Sequence, residues 1–172
     1  MSTCSVRVNN LRRGLSQNGQ AVNRLERGLW SDLRSFSSAS RQMLATSTFS
    51  LKRWDEKPFD EIDGGPKLTR ASVLYEFEGE LAGEGRLEYL MTYLPDTSAV
   101  FTGYQRFVGR VGNRDGSFIF QHGGRFAAGV ASDTWVVVAG SGTGDLAGIR
   151  GQVDFSAGHQ DRYEIILDYE LG

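Results

Sequence analysis

The sequence has little of the chemistry on which metal, redox and covalent sites depend. Cys4 is its single cysteine, which excludes a disulfide framework within one chain and a cysteine zinc site. His122 and His159 are the only histidines, so a metal site built mainly from imidazoles is not expected, although two histidines with carboxylates stay open. The sequence also lacks the Gly-x-Ser-x-Gly motif of a nucleophilic serine. We therefore expect no metal and no cofactor.

The sequence also has no long apolar run and no excess of basic residues after residue 42. No stretch reaches about 18 consecutive apolar residues, the length that indicates a membrane-spanning helix. Residues 1–42, called here the N-terminal tail, carry seven arginines and two acidic residues, whereas the rest of the chain carries twelve basic and nineteen acidic residues. An acidic body argues against nucleic acid as a partner. The charge asymmetry indicates a tail with a role of its own.

The N-terminal tail has the features of a mitochondrial presequence. It is rich in arginine and serine and poor in acids. Apolar residues recur at spacings that would form one stripe on a helix, at Leu11, Leu15, Val22, Leu25, Leu29 and Leu33. The arginines at positions 12, 13, 24 and 27 fall largely off this stripe. Residues 34–40 resemble a matrix-protease cleavage region, with cleavage after Phe36.

Two other interpretations of the tail remain open. The alternatives to a presequence are a disordered extension and upstream sequence included by a wrong start codon. The second follows from Met43, which stands where the next domain begins. The expected location is the mitochondrial matrix if the tail is a presequence and the cytoplasm otherwise. A secretory signal is not expected, because the tail has no continuous apolar segment.

Residues 43–172 show the pattern of an all-β domain. Stretches rich in Val, Thr, Phe and Tyr alternate with period two and are separated by Gly, Pro and Asp clusters. They predict eight strands, at about 45–54, 68–79, 84–94, 98–111, 115–123, 126–138, 149–156 and 162–170. Hairpin chemistry at residues 94–97 and 112–116 links neighbours closely, which favours an antiparallel up-and-down barrel or a sandwich. A barrel of eight strands encloses a lumen that holds side chains or one small ligand.

Alternation assigns one inward face to each of the seven predicted strands after the first. On six of them this face holds mostly aromatic and aliphatic residues, namely Val73, Tyr75 and Phe77; Leu87, Tyr89, Met91 and Tyr93; Phe101, Gly103, Gln105 and Phe107; Phe118, Phe120 and His122; Val153 and Phe155; and Tyr163, Ile165, Leu167 and Tyr169. On the sixth strand it predicts Val130, Ser132, Thr134, Val136 and Val138. Some opposite faces are also apolar, as at Leu90 and Trp135, which a β-bulge or burial in a homo-oligomer would explain.

Several segments resemble one known family. They are residues 54–58 (WDEKP), 63–71 (DGGPKLTRA), 85–93 (GRLEYLMTY), 116–118 with 121–122, and 140–144 (GSGTG). Together they are similar to the DUF3224 family, a mostly bacterial group of small proteins of unknown function, over about residues 44–171. The resemblance implies an eight-stranded antiparallel barrel of the allene oxide cyclase-like, calycin-like type. The arginine-rich tail departs from the family's bacterial pattern and implies a eukaryotic, organelle-targeted member.

Barrels of that type include plant cyclases of reactive oxylipins, dirigent-type proteins and some bacterial spirocyclases. No catalytic motif of those enzymes matches this sequence residue by residue. The resemblance therefore implies a fold without assigning a reaction.

Two motifs suggest ligands but have simpler interpretations. Gly140–Gly148 matches part of a dinucleotide fingerprint, but Gly148 and Gly151 interrupt the helix that such a site needs. We expect a glycine-rich bend between strands. Asp55–Asp63 holds five acidic residues without the spacing of an EF-hand, and we expect a solvated loop across one end of the barrel.

The candidate site residues are those that share the predicted lumen. His122 lies on an apolar strand face, where a hydrogen-bonded core histidine and a general acid/base are alternative interpretations. Glu88 is the natural carboxylate partner, although alternation points it outward unless a bulge displaces it. The other candidates are Gln105 as a neutral hydrogen-bond partner and Tyr75, Tyr89 and Tyr93 as groups that orient a ligand oxygen.

Two classes of function follow from these residues. The barrel either binds a small apolar or oxygenated molecule in its lumen, with a cyclase- or isomerase-like activity that acts by enforcing a substrate conformation, or it is a non-catalytic structural or oligomer-forming barrel whose lumen is filled by side chains. The discriminating feature is an open pocket of a few hundred Å³.

Overall fold

The structure is a computed structural model that describes residues 41–172. The predictions for the N-terminal tail, including its helix and cleavage region, lie almost entirely outside these residues. Strands make up the regular structure of the described part: β1 (Met43–Glu61), β2 (Lys67–Gly79), β3 (Leu81–Tyr93), β4 (Ala99–Val111), β5 (Arg114–Ala127), β6 (Val130–Val137), β7 (Thr143–Gly144), β8 (Ile149–Ala157) and β9 (Tyr163–Leu171). Within that part, no helix is long and apolar enough to cross a membrane.

Eight of these strands close into an antiparallel barrel. Each of β1 to β5 pairs with the next strand in the chain, β6 pairs with β5 and β8, and β9 joins β8 to β1. The two-residue strand β7 adds only a short pairing with β5 at Gly116 and Ser117. The predicted eight-stranded up-and-down barrel is confirmed, and closure through β9 excludes the open sandwich.

The first strand is longer than predicted. It continues through the acidic segment that the sequence suggested to be a loop, because residues 55–57 pair with Arg70–Ser72 of β2. Pro58 is accommodated because the ladder with β9 ends at Phe49, which leaves this part of β1 as an edge where a missing N–H is tolerated. Register shifts next to Leu51 and Pro58 bend the strand.

The sixth strand faces the opposite way from the prediction. β5 extends to Ala127, and a two-residue turn at Ala128 and Gly129, with φ values of 50° and 78°, leads into β6. Positive φ at both positions is typical of a type I′ hairpin. The turn makes His122 the partner of Trp135, so Trp135 shares the inward direction of His122.

This register corrects the predicted inward face of β6. Asp133, Trp135 and Val137 are buried, whereas Val130 and Val136 are exposed. The predicted inward faces of the other strands agree with the observed alternation of burial.

One end of the barrel is filled by its own side chains. Phe107, Phe118, Leu81 and Ile149 belong to a large buried cluster there. The glycine-rich segment 140–148 bends across between β6 and β8, as predicted, and inserts the fully buried Leu146. This end has no room for a ligand.

The opposite end is more open. The ladder between β8 and β9 stops at the pair Gln152 and Asp168, so the two strands separate beyond it. The rings of Phe155 and Tyr163, with centroids 5.5 Å apart, cover the inside of the gap. The longer strands β1 to β5 extend past this level and form the wall of a cavity.

Candidate functional site

A cavity of about 300 Å³ lies inside the open end of the barrel. Aromatic rings supply nine of its thirteen lining residues, and Met91, Ala99 and Ala131 add further apolar surface. The full lining is Phe49, Trp54, Tyr75, Tyr89, Met91, Tyr93, Ala99, Phe101, Phe126, Ala131, Asp133, Trp135 and Phe155. Asp133 is therefore the single charged side chain in an otherwise apolar wall.

The Asp133 carboxylate is held by four hydrogen-bond donors. Its Oδ2 accepts from Trp135 Nε1 at 2.7 Å and from Tyr89 OH at 3.0 Å. His122 Nδ1 lies 2.9 Å from the same oxygen, and the backbone N–H of Gly123 donates to Oδ1 at 3.1 Å. A side chain that is only 4% exposed is thus surrounded by donors, the arrangement that suits a buried carboxylate.

His122 and Gln105 form the layer behind Asp133. His122 Nε2 lies 3.1 Å from the side-chain oxygen of Gln105, and its ring packs on Trp135 with centroids 4.8 Å apart. Both side chains are almost completely buried, and neither lines the cavity. From this position His122 and Gln105 can orient Asp133 and Tyr89, but they do not reach a ligand in the cavity.

Two phenols lie between this network and the cavity. Burial is the largest cause that raises the pKa of Tyr89 well above its ordinary value, and the charge of Asp133 acts in the same direction. Burial likewise raises the pKa of Tyr75, whose side-chain hydrogen-bond partner is Tyr89. Both phenols therefore stay protonated at neutral pH and present O–H donors. Since Tyr89 donates its one proton to Asp133, Tyr75 donates the hydrogen bond between the two phenols, and the Tyr75 oxygen is left as an acceptor for a ligand.

The rim of the cavity combines exposed rings with one carboxylate. Trp54 and Phe126 are 41% and 38% exposed. Glu56 accepts hydrogen bonds from Trp54 Nε1, at 2.8 Å, and from the hydroxyl of Thr69. Burial, followed by a hydrogen bond to Glu56, raises the pKa of Tyr93 to about 12. The rings at the rim are thus positioned by polar contacts on their outer edges.

The structure separates the six candidate residues into three groups. Tyr75, Tyr89 and Tyr93 line the cavity, and His122 and Gln105 lie behind it. The expectation that Glu88 partners His122 is wrong: Glu88 lies on the outer face of β3, where it accepts hydrogen bonds from Arg70 and Ser72. These two contacts, with that of Ser72 first, lower the pKa of Glu88.

Asp133 and Trp135 are the candidate site residues that the sequence analysis missed. Assigning β6 the wrong face excluded both from the lumen. The sequence offered only a weak signal, Gly129 in the Ala127–Val130 segment, where a two-residue turn reverses the inferred face. Among the residues that the structure describes, no group of three or more His, Cys, Asp or Glu side chains is arranged to hold a metal ion.

Fold and site together define a closed eight-stranded antiparallel barrel with an aromatic cavity at one end. The model of the family described as "Protein of unknown function (DUF3224)" matches residues 45–169. The chain belongs to this family.

A solved structure has the same fold. It is a protein of unknown function from the DUF3224 family of Shewanella oneidensis MR-1, 24% identical, with a TM-score of 0.64. The alignment covers 77% of this chain and 99% of that one. No curated protein matches.

Proposed function

We propose that the barrel binds a small, mainly apolar molecule in this cavity, with the polar end of the molecule against Tyr75 and Asp133. The observation that carries the proposal is the aromatic cavity of about 300 Å³ with a single buried carboxylate in its wall. Ligand sites are commonly concave, mostly apolar and equipped with few polar groups. The present cavity has this composition.

The volume limits the size of the ligand. At about 30 Å³ for each water-sized unit, the cavity holds about ten non-hydrogen atoms. Burying about 200 Å² of such a ligand at roughly 25 cal/mol per Å² contributes about 5 kcal/mol before the cost of association. We therefore expect modest affinity unless the polar contacts add to it.

The polar groups offer complementary contacts to an oxygen function. The Tyr75 oxygen can accept from a ligand hydroxyl, and Asp133 can also accept from it because its Oδ1 has one protein donor, the N–H of Gly123. The residues that we propose to contact a ligand oxygen are thus Tyr75 and Asp133 in place of His122 and Gln105.

The alternative of a side-chain-filled structural barrel applies to only one end of the molecule. Leu146 and its neighbours fill the closed end, whereas the open end keeps a cavity. A cyclase- or isomerase-like activity of the kind implied by the resemblance would also begin with a ligand held in one conformation. Binding is therefore the step that both enzymatic and non-enzymatic versions of the proposal require.

Titration with 2-phenylethanol, followed by ligand-observed NMR, tests the proposal. Ala131→Phe places a ring in the cavity and should abolish binding. Val136→Phe adds the same ring on the outer face of the same strand, where Val136 is 45% exposed, and should leave binding unchanged. Equal binding to both variants would contradict the proposal, as would a failure of 2-phenylethanol and of its amine and carboxylate analogues to bind the unaltered protein. Native mass spectrometry of the protein from its source would reveal a retained ligand and the oligomer mass.

A further inference from the structure

The charge distribution around the cavity is one-sided. Among its lining residues, all within the described part of the chain, the one ionisable acid is Asp133, and no lysine, arginine or histidine is present. Glu56 adds a second carboxylate behind the rim rings Trp54 and Tyr93. The nearest rim cation that contacts these rings is Lys67, whose Nζ lies 5.2 Å from the ring centroid of Tyr93.

The net charge of the buried network depends on His122. As oriented, the Gln105 oxygen faces His122, and the Gln105 nitrogen is buried without a partner. This nitrogen lies close to Gly85, where a Cβ would come within 2.2 Å of it. Half a turn of the amide exchanges the two atoms and leaves an unpaired oxygen instead of an unpaired N–H₂. A buried unpaired oxygen is the less unfavourable of the two.

The orientation of the turned amide determines which tautomer His122 adopts. It donates from Gln105 to His122 Nε2, which must then be the unprotonated nitrogen. The remaining proton is on Nδ1 and is donated to Asp133, 2.9 Å away. The imidazole carries no charge in this arrangement, so it does not cancel the charge of Asp133.

Aromatic faces add to this negative charge. Nine rings surround a volume of about ten non-hydrogen atoms, so a bound group lies close to several rings at once. The face of an aromatic ring attracts cations, and the attraction is larger where water is excluded. A carboxylate ligand would meet the same rings and Asp133 without any lining cation to offset its desolvation.

We infer that the polar end of the ligand is a cation, and that this cavity selects small amines, as ammonium ions, over alcohols and excludes carboxylates. The inference rests on the proposed function, because it specifies the chemical class of the molecule that the cavity binds. An ammonium group donates to Asp133 and contacts the rings, whereas an alcohol gains only the hydrogen bonds.

Three probes with one common ring test the selection. The full-length protein is titrated at pH 7 with 2-phenylethylamine, 2-phenylethanol and phenylacetate, each of which is close to the size that the cavity admits. We expect the amine to bind at least about tenfold more tightly than the alcohol. Phenylacetate should show no binding at concentrations that half-saturate the protein with the alcohol.

Two substitutions that each remove one negative charge locate the effect. Asp133→Asn should weaken amine binding about tenfold or more and change alcohol binding less than about threefold, which removes the preference. Glu88→Gln makes the same charge change on the outer face of the neighbouring part of the barrel and should preserve the preference. If Asp133→Asn does not fold, the ranking of the three probes on the unaltered protein still decides the inference.

The outcomes are distinct. Alcohol binding equal to or tighter than amine binding, or measurable phenylacetate binding in the cavity, would overturn the cation selection and leave the proposed cavity function intact. Failure of all three probes to bind, with Ala131→Phe indistinguishable from the unaltered protein, would overturn the proposed function and this inference with it.

Discussion

Replacing Asp133 by alanine should strongly destabilise the barrel. The substitution leaves four donors without their acceptor. The hydroxyl of Tyr89 can turn its proton toward the cavity and accept from His122 Nδ1, 3.1 Å away, and the N–H of Gly123 is only part-buried. Trp135 Nε1 is therefore the donor that stays unpaired and buried.

The expected magnitude follows from these two donors. An unpaired buried donor such as Trp135 Nε1 costs about 1–3 kcal/mol, and the exchange of a charged for a neutral acceptor at His122 adds about 1 kcal/mol. Removal of a buried carboxylate relieves its own desolvation and offsets part of this loss. We expect the free energy of unfolding to fall by about 1–3 kcal/mol, a large fraction of the ~5–15 kcal/mol typical of a domain.

Urea unfolding followed by tryptophan fluorescence measures the change, with a lower midpoint and an unchanged slope as the expected result. Asp154→Ala is the matched control: Asp154 is an exposed acid on the adjacent strand that accepts from Thr134 and Gln152, so its loss should change stability by less than about 0.5 kcal/mol. A loss below about 1 kcal/mol for Asp133→Ala, or a gain, would refute the view that this carboxylate organises the buried donors.

The remaining predictions address other parts of the chain. Because the folded pKa values of Tyr75 and Tyr89 lie above the ordinary value of 10.0, their stabilising effect is complete below pH 10 and is lost as the pH rises. Unfolding in urea should show a decline that begins near pH 10 and approaches about 1.4 kcal/mol per pH unit for each phenol above about pH 11, and Tyr75→Phe should remove one share of it. Gly103→Ala should cost about 1–3 kcal/mol, since its Cβ would lie 2.4 Å from a backbone oxygen and 2.8 Å from the Tyr89 ring, whereas Gly123→Ala, with nothing within 4 Å, should cost little in the same denaturation assay. A chain beginning at Met43 should retain the melting temperature of the full chain, and a marked loss would show that the N-terminal tail stabilises the fold. The tail fused to a fluorescent reporter should direct it to mitochondria, and replacing its arginines 12, 13, 24 and 27 by glutamate should abolish import; a reporter that stays cytosolic would contradict the presequence hypothesis.

The sequence by itself was sufficient for the fold class and for most inward faces. Side chains alternate with period two along any strand, so the apolar face of a run such as residues 85–93 can be identified from its own sequence. Short hairpins between successive runs predict antiparallel neighbours, and the quoted segments were enough to suggest the family that residues 45–169 match.

The inward face of β6 could not be predicted from the sequence of that strand. Trp135 and Val136 are both apolar, so the sequence of this strand is compatible with either face. The choice depends on the turn at Ala128 and Gly129, which lacks the Asn-Gly or Asp-Gly signal of such hairpins. A one-residue difference in register exchanges the two faces, and it determined whether Asp133 was inside or outside.

The hydrogen-bond network of the site was decided by tertiary structure. The β5–β6 register brings Asp133 to His122, and the curvature of the sheet brings Tyr89 of β3 within hydrogen-bonding distance of both. The cavity likewise exists because Leu146 closes one end while the separation of β8 from β9 leaves the other open. Both features arise from distances between strands far apart in the chain, and the period-two pattern of a single strand contains no information about those distances.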